Sequence, residues 1–434
     1  MGTGRVLINI MPVIAIVSEY NPFHNGHLYQ IQKIKEMFPE SAVVSIMSGS
    51  LVQRGEIALF SKYNRAEIAV RNGVDAVFEL PSVYSNSPAN IFAYSAVYIM
   101  QKLGGIDYIC FGSESGDLAL LDFAAEKIMS GGFESKLREK IKSGKNNSYP
   151  TNVYNLFCEL YGEEKAIVLN GSNNILAIEY LKALKKLNST IKPLTIKRIG
   201  ADFNAHDYDG FAVSASYIRG YIRRSIFVGD GVPDVPNIKT NVKSDLRDVE
   251  DAVPYIKNFM PETAYKIASE LIKNGKFTDM SNISPAIISH LNRLDVEEIA
   301  QIAEVCGGEE HRIKKVLRGC FDYNSLVKNS EAKHITSSSI RRVILNIFFG
   351  ITKETQNNPP DFTSVLALNE KGKCFLNGIR KTAEINIVTK PADIKNSKTF
   401  EKNLFIDNTC KLALFNKDSE INEIKQKPYV SKSE

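Results

Sequence analysis

Two histidines three residues apart, His24 and His27, are the side chains of this sequence best suited to hold a phosphate. They follow an apolar run at residues 13–17 that is rich in β-branched residues, which is typical of a strand buried on both faces. Apolar residues at helical spacing come next, so we expect a helix that begins near Asn25 or Gly26. Free backbone N–H groups and the dipole of a first helical turn attract anions, and Gly26 leaves room for a nucleotide against the backbone. Two surface histidines that cap an ordinary helix explain a bare HxGH about equally well.

A second candidate phosphate site lies at Ser214, Ser216 and Arg219, where a helix is expected after the last strand. Hydroxyls and backbone amides at a helix start, with an arginine one turn later, can hold the outer phosphates of a nucleoside triphosphate. Residues 337–342 repeat this pattern but fall in a helical region, away from the predicted sheet. We therefore favour the first copy, and interpret the second as a helix cap with arginines that face solvent or RNA.

The elements that must position these residues alternate between strand and helix. Buried-strand patterns recur at residues 42–47, 76–80, 108–111 and 194–199, with helical periodicity between them. This alternation predicts an α/β fold with a doubly wound parallel sheet, whose ligand crevice lies at the carboxyl ends of the strands. Small-residue loops at 48–50 and 112–114 follow predicted strands, as the HNGH loop does, so we expect all three at that crevice.

The composition changes after about residue 225. Residues 229–252 are rich in Gly, Pro, Asn and Asp without a period, which indicates a linker. Residues 253–327 are helical in pattern, and residues 362–388 predict two short strands around a helix. We expect a catalytic domain over residues 1–228, and a mainly helical region with a small α/β appendage over residues 253–434.

Composition indicates a globular protein of a reducing compartment. Hydrophobic residues make up 44% and charged residues 24% of the 434 residues, and no apolar run reaches the roughly 18 residues that span a membrane. Residues 1–10 do not have the pattern of a signal peptide, and Met11 is an alternative natural start. Six cysteines without a CxxC pair fit a cytoplasmic protein, while a net charge of +5 permits nucleic-acid binding without requiring it.

Longer segments of the chain resemble one family. The segments are SEYNPFHNGHLYQ, MSGSLVQRGEIALFSKYNRAEIAVRNGVDAVFELP, FGSES, SNNILAIEYLKAL and KRIGADFNAHD. They are similar to the bacterial tRNA(Met) cytidine acetate ligase family, of the HxGH type within the class I nucleotidyltransferase superfamily. The resemblance spans about residues 12–225, and a weaker one covers FTSVLALNEKGKCFLNGIRKTAEINIVTKPADI.

The resemblance implies a two-step reaction. Acetate and ATP would form acetyl-adenylate and pyrophosphate, and the acetyl group would pass to N4 of the wobble cytidine, C34, of elongator tRNA(Met). His24 and His27 would stabilise the charge that develops on the phosphates. Mg²⁺ is expected to accompany the triphosphate, held by its oxygens, and neither a metal bound by the protein itself nor a membrane or protein partner is implied.

The ATP site that the resemblance implies comprises one continuous segment and three further residues. They are Val17, Ser18, Glu19, Tyr20, Asn21, Pro22, Phe23, His24, Asn25, Gly26, His27, Leu28, Tyr29, Gln30, Gly112, Asn173 and Arg198. Gly112 would let ribose or adenine lie against the backbone, Asn173 would contact a base edge, and Arg198 would offer a planar fork to phosphate. The chain departs from the family's usual residues at Gln30, Ser50 and Ser172, which leaves the fine positioning of the triphosphate open.

Other polar residues have simpler explanations. Lys62 and Arg65 share a helical face and could contact phosphate or tRNA, although a solvated helix surface is the commoner explanation. His206 with Asp202 and Asp207 is better explained as a polar turn than as a metal site. Glu79 after a strand could cap or bind, and the isolated His290, His311 and His334 are expected to be structural or exposed.

Basic residues in the C-terminal half are candidates for contact with tRNA. They are Arg312, Lys314, Lys315, Arg341 and Arg342, with Arg318 on the same side as the first three. Clustered positive charge suits RNA phosphates, and an ordinary charged helix face explains it equally well.

Two other functions remain open at this point. A small-molecule adenylyl- or cytidylyltransferase would explain the first 225 residues but would leave the C-terminal half without a task. A protein that binds nucleotide or RNA without turnover is the alternative outside enzymes.

Overall fold

A computed structural model of the chain describes residues 11–142, 148–199, 213–226, 249–332, 335–394, 396–417 and 426–431. Several sequence predictions lie outside these residues: the segment 1–10, the turn around His206, His334 and most of the predicted linker. The described strands are β1 (Val13–Ser18), β2 (Ala42–Ser48), β3 (Leu51–Val52), β4 (Glu56–Ile57), β5 (Ala76–Leu80), β6 (Tyr108–Ser113), β7 (Lys192–Lys197), β8 (Phe362–Leu368), β9 (Asn386–Val388) and β10 (Tyr429–Val430).

The helices of the first half are α1 (Asn25–Met37), α2 (Lys62–Arg71), α3 (Ser82–Ser85), α4 (Ala89–Leu103), α5 (Leu118–Met129), α6 (Gly131–Lys142), α7 (Tyr149–Tyr161), α8 (Glu163–Ala166), α9 (Ser172–Lys186) and α10 (Ala215–Ile226). Those of the second half are α11 (Val249–Ile256), α12 (Glu262–Lys273), α13 (Met280–Arg293), α14 (Val296–Ala300), α15 (Glu309–Leu317), α16 (Tyr323–Ser330), α17 (Ser337–Phe349), α18 (Lys353–Asn357), α19 (Glu370–Ile379) and α20 (Lys398–Cys410). Short 3₁₀ helices cover Ile167–Asn170, Lys257–Phe259, Pro391–Asp393 and Lys411–Ala413. None of the described helices combines the length and the apolar character that crossing a membrane requires.

An eight-stranded sheet forms the centre of the fold. Its order is β10-β8-β5-β2-β1-β6-β7, with β9 beside β8, and the five strands from β5 to β7 run parallel. Along β1, Val13 and Ala15 pack into one core, whereas Ile14 and Ile16 pack into the other. This alternation follows from the two-residue period of a strand buried on both faces, and it confirms the predicted α/β class.

Helices cover both faces of the sheet. α4, α5 and α9 pack on one face, and α1, α2, α10 and α12 pack on the other. Because β1 lies between β2 and β6, the loops that follow these three strands leave the same edge of the sheet side by side. The HNGH loop and the loops at 48–50 and 112–114 therefore meet at the predicted crevice.

The strand–helix–strand unit predicted near the C-terminus is present as β8, α19 and β9, but it is not a separate appendage. β8 pairs antiparallel with β5 and so extends the main sheet. All seven of its residues, Phe362–Leu368, are buried, which a strand in a small exposed unit could not achieve. β10, near the C-terminus, pairs with β8.

Candidate active site

The imidazoles of His24 and His27 stack at the first turn of α1. Their ring centroids are 3.7 Å apart, with 25° between the planes. Nδ1 of His24 accepts the backbone N–H of Gly26 at 3.1 Å, and Nδ1 of His27 accepts the backbone N–H of His24 at 3.1 Å. An imidazole nitrogen that accepts a hydrogen bond carries no proton, so each neutral ring holds its proton on Nε2. The pair therefore offers two ring N–H donors at a helix N-terminus.

Both rings are neutral near pH 7. Burial, together with the nearby guanidinium of Arg198, lowers the pKa of His24 to about 3. Burial, His24 and Arg198, in that order, hold the pKa of His27 well below its usual value. In this state each ring can donate a hydrogen bond to an anion but carries no extra proton to release near pH 7.

The absence of a side chain at Gly26 leaves room for the imidazole of His24, which accepts the backbone N–H of Gly26. A Cβ atom at this position would lie 3.0 Å from Cε1 of His24, so any larger residue would displace the imidazole. The glycine also contributes to a cleft beside α1. The cleft is lined by Gly26, Tyr29, Gln30, Gly112, Ile196, Lys197, Arg198 and Ile199.

Arg198 lies against the end of β6, opposite the histidines. A Cβ atom on Gly112 would lie 3.2 Å from Cγ of Arg198, so the glycine lets the arginine side chain lie along the strand. Burial lowers the pKa of Arg198, and Glu114 opposes this effect. Since the Arg198 charge also depresses the pKa of both imidazoles, the guanidinium lies near the two rings.

Asn173 is held by Glu114, a residue that our sequence analysis did not single out. Oε1 of Glu114 accepts the backbone N–H of Asn173 at 3.0 Å and its side-chain Nδ2 at 2.7 Å, while Oε2 accepts the N–H of Asn174 at 2.6 Å. These bonds satisfy the free donors at the start of α9. The signal was an acidic residue in a small-residue loop directly after a predicted strand.

The two phosphate motifs come together. Oγ of Ser214 accepts the N–H of Tyr217 at 3.2 Å at the start of α10, where Ser216 is half-buried. One turn later, Nη1 of Arg219 donates to the carbonyl oxygen of Asn21 at 2.6 Å. Asn21 belongs to the loop that leads to His24, so α10 is attached to the loop of the first motif.

Glu56 joins three arginines at the same place. Its carboxylate lies 3.1 Å from Arg219, 3.3 Å from Arg341 and 3.8 Å from Arg223. Burial alone would raise the pKa of Glu56, but the three guanidiniums lower it to about 2. Single-residue patterns gave no indication of this cluster, because its members come from β4, α10 and α17.

The chain is similar in sequence to a known family and to several of its members. The sequence matches the family described as HIGH Nucleotidyl Transferase over residues 11–427. The tRNA(Met) cytidine acetate ligase of Caldanaerobacter subterraneus subsp. tengcongensis is 35% identical over 414 residues, which cover 94% of this chain and 96% of the relative. That of Acetivibrio thermocellus is 34% identical over 397 residues, 89% of this chain and 90% of the relative.

The chain belongs to the tRNA(Met) cytidine acetate ligase family.

A solved structure supports this assignment. Thermotoga maritima TmcAL bound with alpha-thio ATP superposes with a TM-score of 0.83 at 27% identity, over 97% of this chain and 99% of that chain. The apo form of the same protein gives a TM-score of 0.84 at 28% identity.

Gln30 and Ser50, two of the positions at which our sequence analysis expects a departure from the family, make contacts within the protein. Nε2 of Gln30 donates to the carbonyl oxygen of Cys110 at 3.1 Å, which ties α1 to β6. Oγ of Ser50 donates to Asp407 at 2.6 Å. Ser172 is exposed at the first position of α9.

Residues 337–342, the second copy of the candidate phosphate motif, do not present their arginines to solvent. Residues 337–342 lie at the start of α17, but its cap is the preceding Thr336. Arg341 is bound to Glu56 and Arg342 to Glu304. Both guanidiniums are largely buried, since unpaired carboxylates on neighbouring elements need them. The expectation that they face solvent or RNA is therefore wrong.

The predicted basic cluster on α15 divides in two. Arg312 donates to the carbonyl oxygens of Ser330 and Glu331, and Lys314 donates to those of Leu291, Asn292 and Leu294. These two residues cap the ends of neighbouring helices. Lys315 and Arg318 are exposed.

Lys62 and Arg65 do not form a solvated helix face, contrary to the commoner explanation. Lys62 is 4% exposed and pairs with Glu79 and Asp407. Arg65 is 0% exposed and donates to the carbonyl oxygens of Glu19, Ser48, Gly49 and Phe60. Both side chains therefore brace the loops that carry the site.

Proposed function

We propose that this protein is an ATP-dependent ligase that acetylates a cytidine of tRNA(Met). A carboxylate oxygen of acetate attacks the α-phosphate of ATP, which gives acetyl-adenylate and releases pyrophosphate. The amine N4 of the cytidine then attacks the acetyl carbonyl, loses a proton and releases AMP. We propose that the cytidine is the wobble residue, C34, of elongator tRNA(Met), and that the protein works in the cytoplasm.

One observation carries the first step: the stacked, neutral pair of His24 and His27 at the N-terminus of α1. Donors that already hold their protons on Nε2 need no rearrangement when negative charge builds on the phosphate oxygens. Arg198, which lies against the end of β6, supplies a planar guanidinium to the same cleft. The similarity to TmcAL bound with alpha-thio ATP supports a triphosphate in this position.

We propose the remaining site residues from their positions relative to His24 and His27. The segment from Val17 to Gln30 surrounds the triphosphate, while Gly112 and Asn173 lie at the ends of β6 and α9. Ser214, Ser216 and Arg219 are proposed for the outer phosphates, since α10 is attached to the same loop. The helical region that follows α10 is proposed to contact tRNA.

Mg²⁺ is proposed to enter with the triphosphate. Among the described residues, no group of His, Cys, Asp and Glu side chains is arranged to hold a metal. Phosphate oxygens and water commonly supply most ligands of Mg²⁺ in such sites, so the chain would need to contribute few. When bound, the ion would neutralise charge on the phosphates.

Two assays test the proposed function. Acetate-dependent exchange of radioactive pyrophosphate into ATP reports the first step, and mass spectrometry of nucleosides after incubation of tRNA(Met) with labelled acetate reports the second. We expect both signals, with the label in N4-acetylcytidine. Exchange that needs another small substrate would identify an adenylyl- or cytidylyltransferase instead, and ATP binding without exchange would identify a non-catalytic binder.

A further inference from the structure

Phe321 stands out among the apolar residues of the surface. Its side chain is 89% exposed, whereas the other exposed large hydrophobic residues in the described part of the chain range from 36% to 62%. It lies in the five-residue connection between α15 and α16. A ring that is almost fully exposed contributes little to the core and is accessible to a partner.

The outer face of α15 is basic next to this ring. His311 and Lys315 are exposed and four residues apart, and Arg318 is exposed three residues later, so the three side chains share one face. Ile313 and Leu317 lie on the opposite face, buried in the core.

The outer face of α16 continues the same surface. Asn324 and Lys328, four residues apart, are both exposed. Asp322 is the acidic residue of this stretch, and its carboxylate accepts the N–H of Ser325 at 2.9 Å and its hydroxyl at 2.6 Å. Those hydrogen bonds lower the pKa of Asp322 and engage its charge at the start of α16. We call the group Lys315, Arg318, Phe321, Asn324 and Lys328 the Phe321 surface.

Hydrogen bonds link the connection that carries Phe321 to the candidate active site through the β3–β4 hairpin. Two residues after Phe321, the hydroxyl of Tyr323 donates to the carbonyl oxygen of Gly55 at 3.3 Å, at the tip of the β3–β4 hairpin. The backbone N–H of Gln53 in the same hairpin donates to Oε1 of Glu19 at 2.7 Å, in the loop that leads to the histidines. Tyr323 therefore ties the connection that carries Phe321 to the β3–β4 hairpin, and Gln53 ties that hairpin to the loop before His24.

We propose that the Phe321 surface binds the RNA substrate, with the ring of Phe321 stacked on an unpaired base and Lys315 and Arg318 on backbone phosphates. Proteins recognise single-stranded RNA loops by stacking bases on aromatic rings and by neutralising phosphates with basic side chains. This inference rests on the proposed function and names the surface that its RNA partner would contact.

The test compares binding of elongator tRNA(Met) with the first chemical step, in the full-length protein. The variants are Phe321→Leu, Phe321→Tyr and the double variant Lys315→Gln/Arg318→Gln. Lys371→Gln serves as the charge control, because Lys371 is exposed on α19. Its neighbour Gly372 packs against the carbonyl oxygen of Asp75, at the opposite end of β5 from the cleft.

Filter binding at several salt concentrations measures the Kd for tRNA, and acetate-dependent pyrophosphate exchange without tRNA measures activation. We expect Phe321→Leu to raise the Kd about ten-fold, because stacking needs an aromatic ring. Phe321→Tyr keeps a ring and should have the Kd of the wild type. The double variant should weaken binding and reduce the dependence of log Kd on log salt by roughly one to two, because two phosphate contacts are lost. Lys371→Gln should change neither quantity, and exchange should be normal in every variant.

Unchanged Kd and salt dependence in both Phe321→Leu and the double variant would overturn the assignment of this surface. Equal losses for Lys371→Gln would overturn it too, because the effect would then report total charge. A wild-type protein that does not acetylate tRNA at all would refute the proposed function instead. Acetylation with unaltered variants would refute the surface alone.

Discussion

Nζ of Lys62 lies 2.5 Å from Oδ2 of Asp407, and the same ammonium lies 2.9 Å from Glu79. All three side chains are buried. They come from α2, α20 and β5, so one cation links α20 to α2 and to the central sheet. Burial, with Glu79 nearby, raises the pKa of Asp407 despite the ammonium.

Replacing Lys62 by methionine should therefore destabilise the fold strongly. Two buried carboxylates would lose their cation, which costs about 3–5 kcal/mol in the free energy of unfolding. Asp407→Asn should cost less, because Glu79 keeps the ammonium paired. Urea denaturation measures both, and Lys33→Met is the control, since the Lys33 and Glu36 side chains are 39% and 60% exposed. A Lys62→Met protein as stable as the control would show that the cluster does not hold α20.

Replacing His24 by asparagine should separate catalysis from helix capping. An asparagine oxygen can accept the N–H of Gly26 as Nδ1 does, because asparagine is a favoured N-cap residue, so thermal stability should change little. The Nε2–H donor would be lost, and the rate of pyrophosphate exchange should fall by roughly 10²–10³-fold. Time courses of pyrophosphate exchange, quenched at set times and run at saturating ATP, measure the loss in kcat. An unchanged kcat would show that His24 has no role in the first chemical step.

The depressed pKa of His24 predicts a dependence of stability on pH. The unfolded chain binds a proton near the ordinary pKa of 6.5, whereas the folded chain binds it near 3. In between, the unfolded state holds more protons, so the free energy of unfolding falls as the pH drops from 6.5 towards 3. At pH 5.5, one unit below 6.5, this histidine lowers the free energy of unfolding by about 1.4 kcal/mol relative to its value well above pH 6.5.

The comparison that isolates this effect is wild type against His24→Asn. The difference in the free energy of unfolding between the two proteins should move in favour of the variant between pH 6.5 and 5.5. Carboxylate titrations are common to both proteins and cancel. Parallel stability curves would contradict a buried neutral imidazole at position 24.

Gly112→Ala should raise the KM for ATP. The new Cβ would lie 3.2 Å from Cγ of Arg198 and would shift the guanidinium within the cleft. A displacement that costs about 1.4 kcal/mol corresponds to roughly a ten-fold rise. Gly131→Ala on α6 is the matched control, because no heavy atom lies within 4 Å of a Cβ there, and its KM should be that of wild type. Equal KM values for the two variants would show that Arg198 does not depend on Gly112.

Local patterns predicted the catalytic half of the fold well. The start of α1 at Asn25 follows from short-range signals, since a cap and its helix are neighbours in sequence. β1, β2 and β5 were evident because strands buried on both faces are continuously apolar. β7, at the edge of the sheet, runs over Lys192–Lys197, two residues earlier than predicted, because most of its residues are only partly buried and its apolar pattern is weak.

Long-range pairings escaped prediction. Nothing local to Lys62 reveals Asp407, and nothing local to Glu56 reveals Arg341, so amphipathic spacing alone suggested solvated faces. The β3–β4 hairpin was missed because its strands have two residues each. A charged residue on a helix is exposed or buried according to what packs above it, and that depends on tertiary structure.

The pairing of β5 with β8 has a consequence for biosynthesis. The outer edge of β5 remains open while the ribosome adds the residues up to Phe362, so a nascent chain carries a nearly complete nucleotide cleft beside an unpaired, apolar strand. A chain terminated after residue 228 would keep that edge permanently and would aggregate, whereas release of the full polypeptide lets β8 close it.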